Sequence, residues 1–95
     1  SVDDRPRALA HFYRGFNPHE DPASSNRWNA YARATIAFLE NDRDTLEASL
    51  KVLEAHQDNR MNAMNVKLVR SFVHNFGKPY DEAVRFAFNP EKVSD

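Results

Sequence analysis

Cysteine is absent from all 95 residues, which excludes disulfide staples, thiolate nucleophiles and Cys-based zinc sites together. The lack of cysteine is compatible with oxidising and reducing compartments alike. Glycine is almost absent: Gly15 and Gly77 are the only two, so no Gly-rich loop can cradle a phosphate. An excess of charge of one sign is missing as well. Thirteen Lys and Arg stand against 14 Asp and Glu, a formal net charge of −1, and neither end carries a run of like charge. No nucleic-acid partner or anionic-membrane surface is therefore expected. No apolar run approaches the roughly 20 residues that a membrane-spanning helix needs, so membrane insertion is not expected either. No signal-peptide core is visible. Because the chain opens on Ser1 and not on Met, a removed leader, a tag or further sequence is expected ahead of it. A secretion leader there would place the domain in the periplasm or outside the cell.

What is present suits one soluble globular domain near the lower size limit for a single core, with 41% hydrophobic and 28% charged residues. Seven Phe, three Tyr and one Trp supply much buried area per side chain. Asp3 and Asp4 ahead of Arg5-Pro6 signal a helix start. Leu9, Phe12, Tyr13 and Phe16 form its apolar face, and Gly15 is expected to end it in the left-handed conformation. Residues 17–22, with two prolines, read as a surface loop. Residues 1–23 thus form an N-terminal helix and loop.

The first helical hairpin spans residues 24–57. Ser24 or Ser25 is expected to cap its first helix, which runs to about Glu40. Trp28, Tyr31, Thr35, Phe38 and Leu39 make one apolar stripe on it, while Ala30, Ala34 and Ala37 make a small-residue face that a neighbouring helix can approach closely. Asn41 tolerates the left-handed conformation of a tight reversal. Asp42 or Asp44 then caps the partner helix, and Asp44 with Glu47 has capping-box spacing. Leu46, Leu50 and Leu53 form the buried seam, with Glu47 and Lys51 as an i,i+4 pair on the wet side.

The second hairpin spans residues 58–89. From Arg60 to Phe76 apolar residues occupy two faces, Met64, Leu68 and Phe72 on one and Val69, Val73 and Phe76 on the other, so this helix is expected to lie between neighbours. Gly77 closes it and Pro79 restarts the chain. Tyr80, Ala83, Val84 and Ala87 face inward from the last helix, which Asn89-Pro90 ends. Residues 90–95 are expected to fray. The core anchors are Trp28, Tyr31, Phe38, Leu46, Leu50, Leu53, Leu68, Phe72, Phe76 and Tyr80.

Asn41 and Gly77 stand 36 positions apart, each preceded by a long helix and followed by a shorter one. The segment Phe76-Gly77-Lys78-Pro79-Tyr80-Asp81-Glu82-Ala83 resembles the inter-helix turn of a tetratricopeptide repeat, where Gly ends helix A and an aromatic (Tyr80) and a small residue (Ala83) open helix B. The first unit departs from the pattern: Asn41 replaces the Gly and Leu46 stands where the family has Ala, although Ala34 matches a small position. The Lys78-Pro79 step also lengthens the turn by a residue, and the spacing exceeds the usual period of about 34. The resemblance covers about Trp28 to Ala87. It implies two stacked antiparallel hairpins whose A helices line a concave face that binds an extended peptide or a partner helix. About three such repeats are normally needed for stability, so the N-terminal helix should act as a cap, or the domain should dimerise.

The polar surface that stands out is on the 60–76 helix and its turn. Lys67, Arg70, His74 and Lys78 follow helical spacing, with the amides Asn62 and Asn65 nearby. Some tetratricopeptide domains clamp a carboxylate with Lys, Asn and Arg from their A helices, and Asn65, Lys67 and Arg70 are of those types. Exposed helices ordinarily carry such stripes, so the same residues also read as a solvated face without a ligand. His19-Glu20-Asp21 offers oxygen and nitrogen donors, but no second His or carboxylate pair at helical spacing supports a metal site. The acidic cluster Glu40, Asp42 and Asp44 reads as helix capping, and His11 and His56 as residues interacting with helix C-termini. Ser71 and His74 lie one turn apart, yet nothing supplies the sharp turn or oxyanion donors of acyl transfer.

The sequence thus reads as an all-α domain of about five helices, two stacked hairpins capped by an N-terminal helix. Its expected role is a protein- or peptide-binding module without catalysis, metal or cofactor. The alternative is a structural or assembly protein whose apolar face makes a homodimer, and an enzyme comes third.

Overall fold

A computed structural model describes residues 5–15, 19 and 27–88. The two left-handed residues within it fall at reversals of the chain, Asn41 with φ 61° and Gly77 with φ 86°. Around them the chain forms five helices: α1 (Arg5–Gly15), α2 (Trp28–Leu39), α3 (Arg43–Glu54), α4 (Arg60–His74) and α5 (Tyr80–Phe88). The fold is all-α. Helices α2 and α3 form one hairpin, α4 and α5 the second; α1 lies on α2, and α4 packs on both α2 and α3.

Local chemistry accounts for the first reversal. The Asn41 N–H donates to Phe38 O at 3.3 Å and the Asp42 N–H to Ala37 O at 2.8 Å, a Schellman closure with Asn41 in the left-handed position. Asp42 then starts α3 by accepting the Thr45 N–H at 3.2 Å, and the Thr45 hydroxyl first and this N–H second hold its carboxyl below the usual carboxylate range. The capping box expected at Asp44 and Glu47 does not form. Asp44 already lies inside the first turn of α3, and Glu47 pairs back with Arg43 at 3.2 Å.

Two further expectations are revised. Gly15 is the last residue of α1 and is not left-handed. A Cβ there would come no closer than 3.4 Å to the Trp28 indole, whose Nε1–H donates to the Gly15 carbonyl at 2.7 Å. α4 ends at His74, two residues short of Phe76, with Asn75 donating to Ser71 O at 2.8 Å and Lys78 to Asn75 O at 3.0 Å through the Gly77 turn. Ser24, Ser25, the 20–26 part of the loop and the tail from residue 89 lie outside the described residues.

α2 is the central element. It is buried along nearly its whole circumference: Ala30, Ala34 and Ala37 are closed over as the small face requires, and so are Tyr31, Ala32, Thr35, Phe38 and Leu39. Phe38 stacks on Phe72 of α4 at 4.7 Å, and Phe72 in turn meets Tyr80 of α5 at 5.9 Å. At the other end Phe12 of α1 sits against Trp28 and Tyr31, at 6.3 and 5.7 Å. Of the expected anchors, Tyr31, Phe38, Leu46, Leu53, Leu68 and Phe72 are in the core, and Trp28, Leu50, Phe76 and Tyr80 pack half-buried against it. Met64 departs from the expected inward face and is 43% exposed. α5 has nine residues against fifteen in α4, so at about 1.5 Å per residue it ends before it can cover the start of its neighbour.

Candidate surface grooves along the last helix

The polar stripe expected on α4 separates into three environments. Lys67, Arg70 and His74 remain at its solvent edge, where with Ser71 they meet Phe86 and Ala87 of α5 in a shallow depression of about 380 Å³. The His74 ring stacks on Phe86 with 5.1 Å between centroids and an interplanar angle of 21°. Arg70 directs Nε and Nη2 to one carboxylate oxygen of Glu54 on α3, at 3.1 and 2.9 Å. Lys78 lies outside the depression and pairs with Glu82 at 3.8 Å.

Asn62 and Asn65 are buried, at 0% and 5% exposure. The Asn62 side chain accepts the Arg27 N–H at 2.9 Å and donates to His56 O at 3.0 Å, while its own N–H donates to the capping side chain of Asn59 at 3.0 Å. It therefore ties the start of α2 to the α3–α4 turn. A polar residue on a helix reads as a surface residue until the neighbouring backbone that it satisfies is known.

Ser71 is buried and donates its hydroxyl to Ala83 O on α5, while accepting from Asn75 Nδ2 at 3.1 Å. Its proton is thus directed at a carbonyl, and His74 is stacked on Phe86. The pair joins two helices and does not form a nucleophile and base. His56 bonds Val52 O at 2.9 Å in the last turn of α3. Among the described residues no group of three or more His, Cys, Asp or Glu converges to hold a metal ion; of the loop trio only His19 is described. No helix among the described residues is long and apolar enough to cross a membrane.

A larger groove, about 900 Å³, runs on the other side of α5 between it and α1. Arg7, His11 and Arg14 stand along its α1 wall, Ala8, Phe12, Tyr80 and Val84 provide apolar surface, and Asp81 and Arg85 line the α5 wall. Burial first and the neighbouring Tyr31 second push the Tyr80 hydroxyl up to about 12. Burial likewise raises Tyr31, against smaller lowering by Thr35 and Tyr80. The spacing of Arg7, His11 and Arg14 is visible in the sequence as an i, i+4, i+7 stripe. Its opposition to α5, some seventy residues away, is not.

Comparison with family models, curated proteins and solved structures finds no match to this chain.

Proposed function

We propose that the domain is a protein- or peptide-binding module, tetratricopeptide-like in its hairpins, that acts without catalysis or a cofactor. One observation carries this reading: Lys67, Arg70 and His74 converge with Phe86 and Ala87 in one open depression. A basic rim over an aromatic floor suits a peptide that presents a carboxylate next to an apolar side chain. The His74–Phe86 stack supplies a flat apolar surface, and Lys67 is exposed beside it. The Arg70 guanidinium is more than half exposed while it pairs with Glu54, and surface pairs of this kind contribute about 0–1 kcal/mol, so a ligand carboxylate can share or replace Glu54. The packing of α4 on both α2 and α3 supports the hairpin-repeat reading.

The test is a comparative pull-down with wild type and the double variant Lys67→Glu, Arg70→Glu. Partners retained by wild type should be lost from the variant, and His74→Ala should weaken them. Equal recovery would remove this surface.

The homodimer alternative draws on Met61 and Met64, 47% and 43% exposed and three residues apart at the start of α4. Two exposed methionines form a small patch compared with the roughly 800 Å² per partner of a standard interface.

A further inference from the structure

The groove between α1 and α5 combines two features that together specify an occupant. Its apolar surface, Ala8, Phe12, Tyr80 and Val84, continues the aromatic cluster around Trp28 and Tyr31. Beside that surface, among the described residues, cations outnumber carboxylates, with Arg7, Arg14 and Arg85 against Asp81. Asp81 is the single carboxylate among the described residues that line the groove, and it already pairs with Arg85 at 3.7 Å. Arg7 and Arg14 form no ion pair with any described residue. In a chain with a net charge of −1, this wall gathers cations that no described carboxylate pairs with.

The geometry points to an acidic amphipathic helix from a partner protein as the ligand of this groove. Arg7 and Arg14 are separated by seven residues on one helix, which is about 10.5 Å along the axis. Carboxylates at i and i+7 of a docked helix repeat that distance, and apolar residues at i+3 and i+4 fall between them, above Phe12 and Val84. The groove is open along its length. A small apolar ligand would leave one side in water, whereas a helix about 10 Å across covers it. Guanidinium groups recognise carboxylates by paired hydrogen bonds, so pairing across the groove favours one sign of partner over the other. This surface is separate from the Lys67–Arg70 depression, with α5 between them.

The test uses a synthetic fourteen-residue helical peptide carrying Glu at i and i+7 and Leu at i+3 and i+4, with a control in which both Glu are Lys. Binding is read by anisotropy of the labelled peptide. The acidic peptide should bind at low salt, weaken at least tenfold when salt is raised, and weaken at least tenfold against Arg7→Glu, Arg14→Glu. Lys67→Glu, Arg70→Glu should bind it as wild type does, which separates this site from the other. Arg7 and Arg14 are exposed, so the double variant should keep its thermal midpoint, checked by circular dichroism. Equal binding of the two peptides, or unchanged binding by the Arg7, Arg14 variant, would overturn the inference. Two other occupants would overturn it as well. Glu91→Lys, Asp95→Lys binding the peptide tenfold more tightly than wild type would assign the groove to the chain's own tail. A dimer in sedimentation that the peptide dissociates would assign it to a second copy.

Discussion

The side-chain oxygen of Asn62 accepts the backbone N–H of Arg27 at 2.9 Å, across 35 residues of sequence. The N-cap position of α2 has no side-chain cap of its own, and this bond anchors the chain where that helix begins. Asn62→Ala removes an acceptor for Arg27 and a donor to His56 O at a fully buried position. Orphaned polar groups of this kind cost about 1–3 kcal/mol each. A loss of about 2–3 kcal/mol is expected, seen as a denaturant midpoint well below wild type with an unchanged slope. A change within about 0.5 kcal/mol would contradict the assigned role.

The two glycines should respond in opposite ways. Gly77 has φ 86° with open space around its missing Cβ, so Gly77→Ala strains the backbone and should cost about 1–2 kcal/mol. Gly15 is helical, and an added Cβ would make only close contact with the Trp28 ring. The helix-propensity gain of about 1 kcal/mol opposes that crowding, so Gly15→Ala should shift stability by less than about 1 kcal/mol. Thermal melts of the two variants separate these outcomes.

Raising the pH should unfold the domain partly through Tyr80. Its folded value of about 12 lies above the unfolded value of about 10, so the neutral phenol is the form that the fold favours. The resulting stability is complete below about pH 10 and is lost as the pH climbs through about 12. Tyr80→Phe cannot lose what it lacks, so its stability should fall less steeply between those limits. Parallel slopes for wild type and variant would refute the coupling.

Ser71→Ala should loosen the contact between α4 and α5. The hydroxyl donates to Ala83 O and accepts from Asn75 at a buried site, and its loss is expected to cost about 1–2 kcal/mol. Amide exchange should quicken in α5 more than in α3. Uniform protection across both helices would argue against a local link.

Sedimentation velocity over a hundredfold concentration range addresses self-association directly. A monomer throughout is expected, because among the described residues the exposed large apolar side chains, Tyr13, Val52, Met61, Met64 and Phe88, are spread over four helices, α1, α3, α4 and α5. A concentration-dependent dimer would favour the assembly role.

Helix number, order and ends were largely legible in the chain because they depend on local chemistry. Asn41, Gly77 and Asp42 act through their own backbone conformation or through bonds three to five residues away. The Leu46–Leu53 seam and the inward placement of Phe38 and Phe72 follow from the 3.6-residue period and from aromatic size. Where reading fell short, the deciding contact was distant. Gly15 suggested a left-handed stop, and only the tertiary structure shows it helical, with its carbonyl accepting the Trp28 indole N–H. One miss was local: Asp44 and Glu47 had the spacing of a capping box, but the helix began two residues earlier, after Asp42.

The candidate surfaces divide along the same line. The sequence by itself determined that Lys67, Arg70 and His74 share one edge of a helix, since side chains three and four residues apart must lie together. It also placed Asn62 and Asn65 close to them. Only the tertiary structure decided that both amides turn inward, that Phe86 lies beneath His74, and that Arg7 and Arg14 face α5 across a groove. The physical reason is that periodicity sets which residues share a helix face, while burial, pairing and opposition depend on which other helix arrives there.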